Sequence, residues 1–141
     1  MKSLDLRLIA RILAVFSAVG IGYLSLVPSG DSAAAYLFFL ESIAQIVFGD
    51  ASQVDKVGHF LAYAVLGGLS AFGVRMVGEP AMVLAILALA LGVYGGVLEM
   101  LQGFFPERVS SLADWFANML GVAAGFAFAE TIHMTLRRHQ P

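Results

Sequence analysis

The chain has no cysteine, which excludes disulfides, thiolate metal centres and cysteine nucleophiles. Charge is scarce too. Only 13% of residues are Asp, Glu, Lys or Arg and the net charge is -2, where a soluble domain carries roughly 25% charged residues. The basic residues form no run or patch that could follow a phosphate backbone, so nucleic acid is not a partner to expect. No Gly-flanked serine elbow, His-Glu-x-x-His helix or phosphate-cradling loop is found. What fills the chain is apolar: 60% of its 141 residues are hydrophobic, against roughly 45–50% in soluble domains. That composition predicts a single all-α domain, residues 1–141, integral to a membrane.

Four runs have the length needed to cross roughly 30 Å of hydrocarbon: Leu8 to Val27, Val57 to Val77, Ala81 to Leu101 and Leu112 to Ile132. A cleaved secretory signal competes for the first run, because a basic start and an apolar core lead to Ala33-Ala34-Ala35. Pro28-Ser29-Gly30 breaks the first helix, and Asp31 or Ser32 can cap a second over about 32–49. This segment is short, and Glu41 and Gln45 share one face, which predicts an interfacial helix rather than a crossing. Pro80 fits the first turn of the third span.

With four spans, Lys2, Arg7, Arg11, Arg75, Arg137 and Arg138 fall on one side and only Lys56 and Arg108 on the other. A fifth crossing would weaken that six-to-two split to five-to-three. The bias predicts a cell-membrane protein with both termini cytoplasmic. It also gathers Asp55, Lys56, His59, Glu99, Gln102, Arg108, Asp114 and Asn118 at the outer end.

Such groups are expensive in a membrane, so a cluster of them is a candidate site. Asp55/His59 and Asp114/Asn118 are four apart and Glu99/Gln102 three apart, so each pair should share a helical face. Ser52-x-x-Asp55 and Ser111-x-x-Asp114 also match the capping box, which on its own would account for both aspartates. The two stretches open the second and fourth spans alike, a pattern compatible with a two-hairpin pseudo-repeat. Glu99 lies a turn inside its span and needs a partner, Arg108 being the obvious one. His59, Glu99 and Asp114 are acceptable metal ligands, but without diagnostic spacing; no metal or cofactor is expected. Gly92-x-x-x-Gly96 and Gly121-x-x-x-Gly125 allow close helix packing, within the chain or in a homo-oligomer.

Together, Asp55-Lys56-x-x-His59-Phe60, Glu99-x-x-Gln102-x-Phe104-x-Pro106-x-Arg108 and Ser111-x-x-Asp114-x-x-x-Asn118-x-x-Gly121 resemble the pattern of the VanZ-like membrane protein family. The resemblance runs from about Asp55 to about Gly125, with Glu107 where the family often has glycine. It implies a link to low-level resistance to teicoplanin, a lipid-tailed glycopeptide, and it supplies no catalytic role. Three functional expectations follow. The cluster could bind an amphiphile, such as a lipid-linked envelope precursor or a lipoglycopeptide, with Arg108 and Lys56 meeting an anionic head group. It could instead be an intramembrane enzyme, with Glu99 or Asp114 as base and His59 as acid. Or it could be glue in a small subunit of a membrane assembly.

Overall fold

The computed structural model describes residues 3–26, 34–75, 81–105 and 109–138, and these contain no strand. Five helices follow in order: α1 (Ser3–Leu26), α2 (Ala34–Phe48), α3 (Val54–Arg75), α4 (Ala81–Gln102) and α5 (Leu112–Arg138). A 3-10 turn at Ala51–Gln53 leads into α3. α1, α3, α4 and α5 are each long and apolar enough to cross a membrane, so the chain is a multi-pass helical membrane protein. α5 runs past the expected end at Ile132, because no glycine or proline interrupts it before Arg138. At 27 residues it is about 40 Å long, so its last turns outreach the hydrocarbon.

α2 has 15 residues, about 22 Å of helix, too short for a crossing. Leu40 and Ala44 are buried with Val57 of α3. Glu41, Ser42 and Gln45 are exposed, and so are Phe38, which shares their side, and Phe39, Ile46, Val47 and Phe48. A short apolar helix after the first span is therefore present, as the sequence predicts.

The start of α3 corrects one expectation. Ser52 does not cap α3 with Asp55; it sits inside the 3-10 turn, whose cap is Asp50. The Asp50 carboxylate accepts from the Ser52 hydroxyl at 2.6 Å and the Ser52 backbone N–H at 2.9 Å, and these bonds hold its pKa below the ordinary carboxylate value. The expected caps at Asp31, Ser32 and Pro80 lie outside the described residues.

α3 is the hub and touches every other helix, most extensively α5, to which it runs parallel. Glycines bring the two backbones together. A Cβ on Gly67 would lie 3.0 Å from the backbone of Val122, and one on Gly125 would overlap the Ala64 carbonyl and the Gly68 backbone nitrogen. Gly121 meets the Phe60 carbonyl in the same way. Gly92 and Gly96 face Met119 and Trp115. All four glycines singled out for close packing are therefore occupied inside one chain.

One end of the bundle gathers α2, the start of α3, the end of α4 and the start of α5. The Gln102 side-chain amide ties the end of α4 to the end of α1 by donating to the Ser25 carbonyl at 3.2 Å. Gly73 of α3 lies against Ala10 and Arg11 in the first half of α1, towards the opposite end.

Candidate functional site

Among the described residues four polar side chains are buried, Glu99, Gln102, Asp114 and Asn118, and all four stand at the α2 end. Scarcity of polar residues in the sequence pointed to each of them.

The N-terminus of α5 sets the geometry. Ser111 Oγ accepts from the Asp114 backbone N–H at 3.4 Å, and the Trp115 N–H donates to the Ser111 carbonyl at 3.1 Å. In a full capping box the Asp114 carboxylate would accept from the Ser111 N–H. Here Glu99 of α4 takes that place, its Oε2 accepting from the Ser111 N–H at 3.2 Å. A carboxylate at this position also faces the positive end of the α5 dipole. The exchange frees Asp114, whose Oδ1 lies 3.9 Å from Lys56 Nζ. Replacing Ser111 by Ala should cost about 1 kcal/mol, the usual worth of a helix cap, while the contact from its backbone to Glu99 persists. Denaturant titration in detergent would measure the loss.

His59 joins the three helices. Its Nδ1 is 2.9 Å from Asn118 Oδ1 and 3.6 Å from Glu99 Oε1. Both are acceptors, so Nδ1 carries a proton whether the ring is neutral or charged. With its oxygen turned to His59, Asn118 directs its amide nitrogen towards α4, within 3.2 Å of where a Gly95 Cβ would stand. The Tyr63 hydroxyl lies 3.1 Å from the same point. Three buried oxygens have no hydrogen-bond partner among the described residues: Glu99 Oε1, Asp114 Oδ1 and the Tyr63 hydroxyl. Each comes from a different helix.

The face of α3 turned to the cluster is Lys56, His59 and Tyr63, at i, i+3 and i+7. Asp55 is exposed and makes no contact with the cluster among the described residues, so the expected Asp55/His59 pair gives way to Lys56/His59. Asp114/Asn118 does share one buried face, as spacing predicts. Gln102 faces α1 rather than His59. Arg108, and with it the expected pairing to Glu99, lies outside the described residues.

The sequence does not mark Tyr63, Gly95, Ser25 or the backbone of Ser111 as site residues. Tyr63 and Gly95 carried a signal, each lying one turn along its helix from an identified polar residue. Trp115, whose indole N–H donates to the Gly92 carbonyl at 3.0 Å, is anchored beside Asp114.

Among the described residues no three His, Asp or Glu side chains are placed to hold a metal ion. A cleft of about 370 Å³, lined by Ala71, Leu84, Phe126, Ala127, Ala129 and Glu130, belongs to the other half of the bundle. Comparison with protein-family models, curated proteins and solved structures finds no match to this chain.

Proposed function

We propose that this chain is a VanZ-like membrane module that holds the polar head group of an amphiphile, such as a lipid-linked envelope precursor or a lipoglycopeptide, at the α2 end of the bundle. The observation that carries the reading is the convergence of Glu99, His59, Asp114 and Asn118 from three helices, with buried oxygens left unpartnered, inside walls that are otherwise apolar. Structural glue would satisfy its own polar atoms, since a buried unsatisfied group costs roughly 1–3 kcal/mol. The excess of Lys and Arg at the terminal end supports an orientation in the cell membrane with both termini cytoplasmic and the polar end outside.

Lys56 has a third of its side chain exposed and stands at the mouth of the cluster, where it can meet an anionic part of the head group. Reconstituted wild-type protein should bind an anionic lipid more tightly than the Lys56→Ala, Arg108→Ala double variant, by about a hundredfold if one charge-assisted contact is lost at each position. Equal binding by both, measured by lipid titration, would sink the proposal.

One observation favours an enzyme as the second reading. A histidine with its Nδ1–H held by acceptors keeps Nε2 for proton transfer, as in an acyl-transfer triad. Product formation from a lipid-linked head group, lost in both His59→Ala and Glu99→Gln, would establish this reading over simple binding.

A further inference from the structure

The cleft of about 370 Å³ lies among Ala71 of α3, Leu84 of α4 and Phe126, Ala127, Ala129 and Glu130 of α5. In the half nearer α2, α4 is pinned to α5: the Trp115 indole donates to the Gly92 carbonyl, and Met119 lies against Gly92. Nearer the termini Ala71, Ala127 and Ala129 present only methyl groups, and the cleft opens between the two helices.

Its depth says what meets it. At 1.5 Å per residue from Leu112, Phe126 to Glu130 stand about 21–27 Å along α5, inside the roughly 30 Å of hydrocarbon and in the leaflet on the side of the termini. The solvent there is acyl chain, and an apolar hollow left unfilled would forfeit the contacts of its lining.

His133 continues the same stripe of α5, since 126, 129, 130 and 133 recur at three and four residues. It stands about 32 Å from Leu112, at the level of the head groups. Its Nε2 is buried and has no hydrogen-bond partner among the described residues, and the same holds for Arg7 Nε at that end of α1. Six of the chain's eight Lys and Arg residues fall on this side, against the acids Asp5, Glu79 and Glu130. Glu130, which lines the cleft, is already engaged.

We propose that this cleft is a second lipid site, apart from the α2 end. It takes one acyl chain of an anionic phospholipid from the leaflet on the terminal side, and the lipid phosphate accepts a hydrogen bond from His133 Nε2–H. The phosphate supplies the acceptor that this nitrogen lacks, and the basic excess favours a head group of net negative charge. A second copy of the chain packed side by side would bring its own six basic residues to the same end, where like charges repel.

The test is native mass spectrometry of full-length protein titrated with phosphoglycerol or phosphocholine lipid. The Lys56→Ala, Arg108→Ala variant is the background, so that the α2 end supplies neither basic side chain. There the phosphoglycerol lipid should bind about tenfold more tightly than the phosphocholine lipid, the worth of one charge-assisted hydrogen bond. Ala127→Phe, at an exposed position, should weaken both lipids by about tenfold or more by filling the cleft. Leu84→Trp fills it from α4, so failure of one filler to fold, read by circular dichroism, leaves the other to decide. His133→Phe should abolish the preference and keep the binding of the chain. Equal binding of the two lipids overturns the anionic head group, and a preference that survives His133→Phe overturns the assignment to that residue. Undiminished binding to a folded filler overturns the cleft. Efficient disulfide-linked dimers of Ala127→Cys in bilayers, in a chain with no other cysteine, overturn the lipid in favour of a second copy. The α2-end reading is decided separately, by comparing that background with wild type.

Discussion

Gly125→Ala and Gly121→Ala should each lower the unfolding free energy by about 3 kcal/mol or more, the upper range for overpacking, and prevent recovery of folded protein at ordinary growth temperature. The reason is what the new methyl meets. At Gly125 it overlaps the Ala64 carbonyl and the Gly68 backbone nitrogen, and at Gly121 the Phe60 carbonyl. Backbone cannot rotate aside as a side chain can, so α3 and α5 must separate along their most extensive interface. Separation is costly in a membrane, where lipid tails are as apolar as the helices and association rests on close packing. Two controls sharpen the result. A methyl at Gly92 meets the flexible Met119 thioether, with Sδ at 2.9 Å, so Gly92→Ala should cost about 1 kcal/mol or less. Gly20 has nothing within 4 Å, and Gly20→Ala should be neutral or stabilising by up to about 1 kcal/mol through helix propensity. Detergent unfolding curves for the four variants should rank in this order. A Gly125→Ala protein as stable as Gly92→Ala would contradict the described packing of α3 on α5.

The ease with which sequence disclosed different parts of this molecule has a physical pattern. Lengths of apolar runs read out directly as spans, because a bilayer imposes one thickness on every crossing. Buried polar residues were legible for a related reason: with so few polar groups inside the spans, Glu99, Asp114 and Asn118 stood out without any knowledge of contacts. Their partners were not legible. Ser111-x-x-Asp114 carries a local capping pattern, yet the acid that completes it comes from α4, a choice made by tertiary packing. The 3-10 turn at Ala51–Gln53 removes Ser52 from the start of α3, so the face of that helix passes through Lys56 and leaves Asp55 outside. Glycine repeats announced close packing, but repetition alone cannot say whether the neighbouring backbone belongs to the same chain.

Asn118→Leu should cost about 2–4 kcal/mol, and the loss should be mostly coupled to His59. Asn118 is 1% exposed, and its side chain is the link that turns three separate polar helix ends into one cluster. Its oxygen accepts from His59 Nδ1 at 2.9 Å, while its amide nitrogen faces α4 beside Gly95. Leucine is close in size, so the change removes hydrogen-bonding capacity more than volume. The His59 N–H is then left with Glu99 Oε1 at 3.6 Å, too far for a good bond. A buried donor without an acceptor accounts for about 1–3 kcal/mol, and the amide's lost bonding to its surroundings for about 1 more. The coupling separates this explanation from simple misfit of leucine. If the orphaned imidazole is the cause, His59→Phe in the Asn118→Leu background should restore part of the loss, giving an interaction free energy of about 1–2 kcal/mol in a double-mutant cycle. Misfit would instead make the two substitutions additive. The same cycle bears on function, because Nδ1 held by Asn118 fixes the imidazole that neighbours Glu99. Asn118→Leu should therefore abolish any head-group preference at the α2 end even in the fraction that remains folded. A variant that kept both the preference and full stability would show that His59 and Glu99 are placed by something other than Asn118.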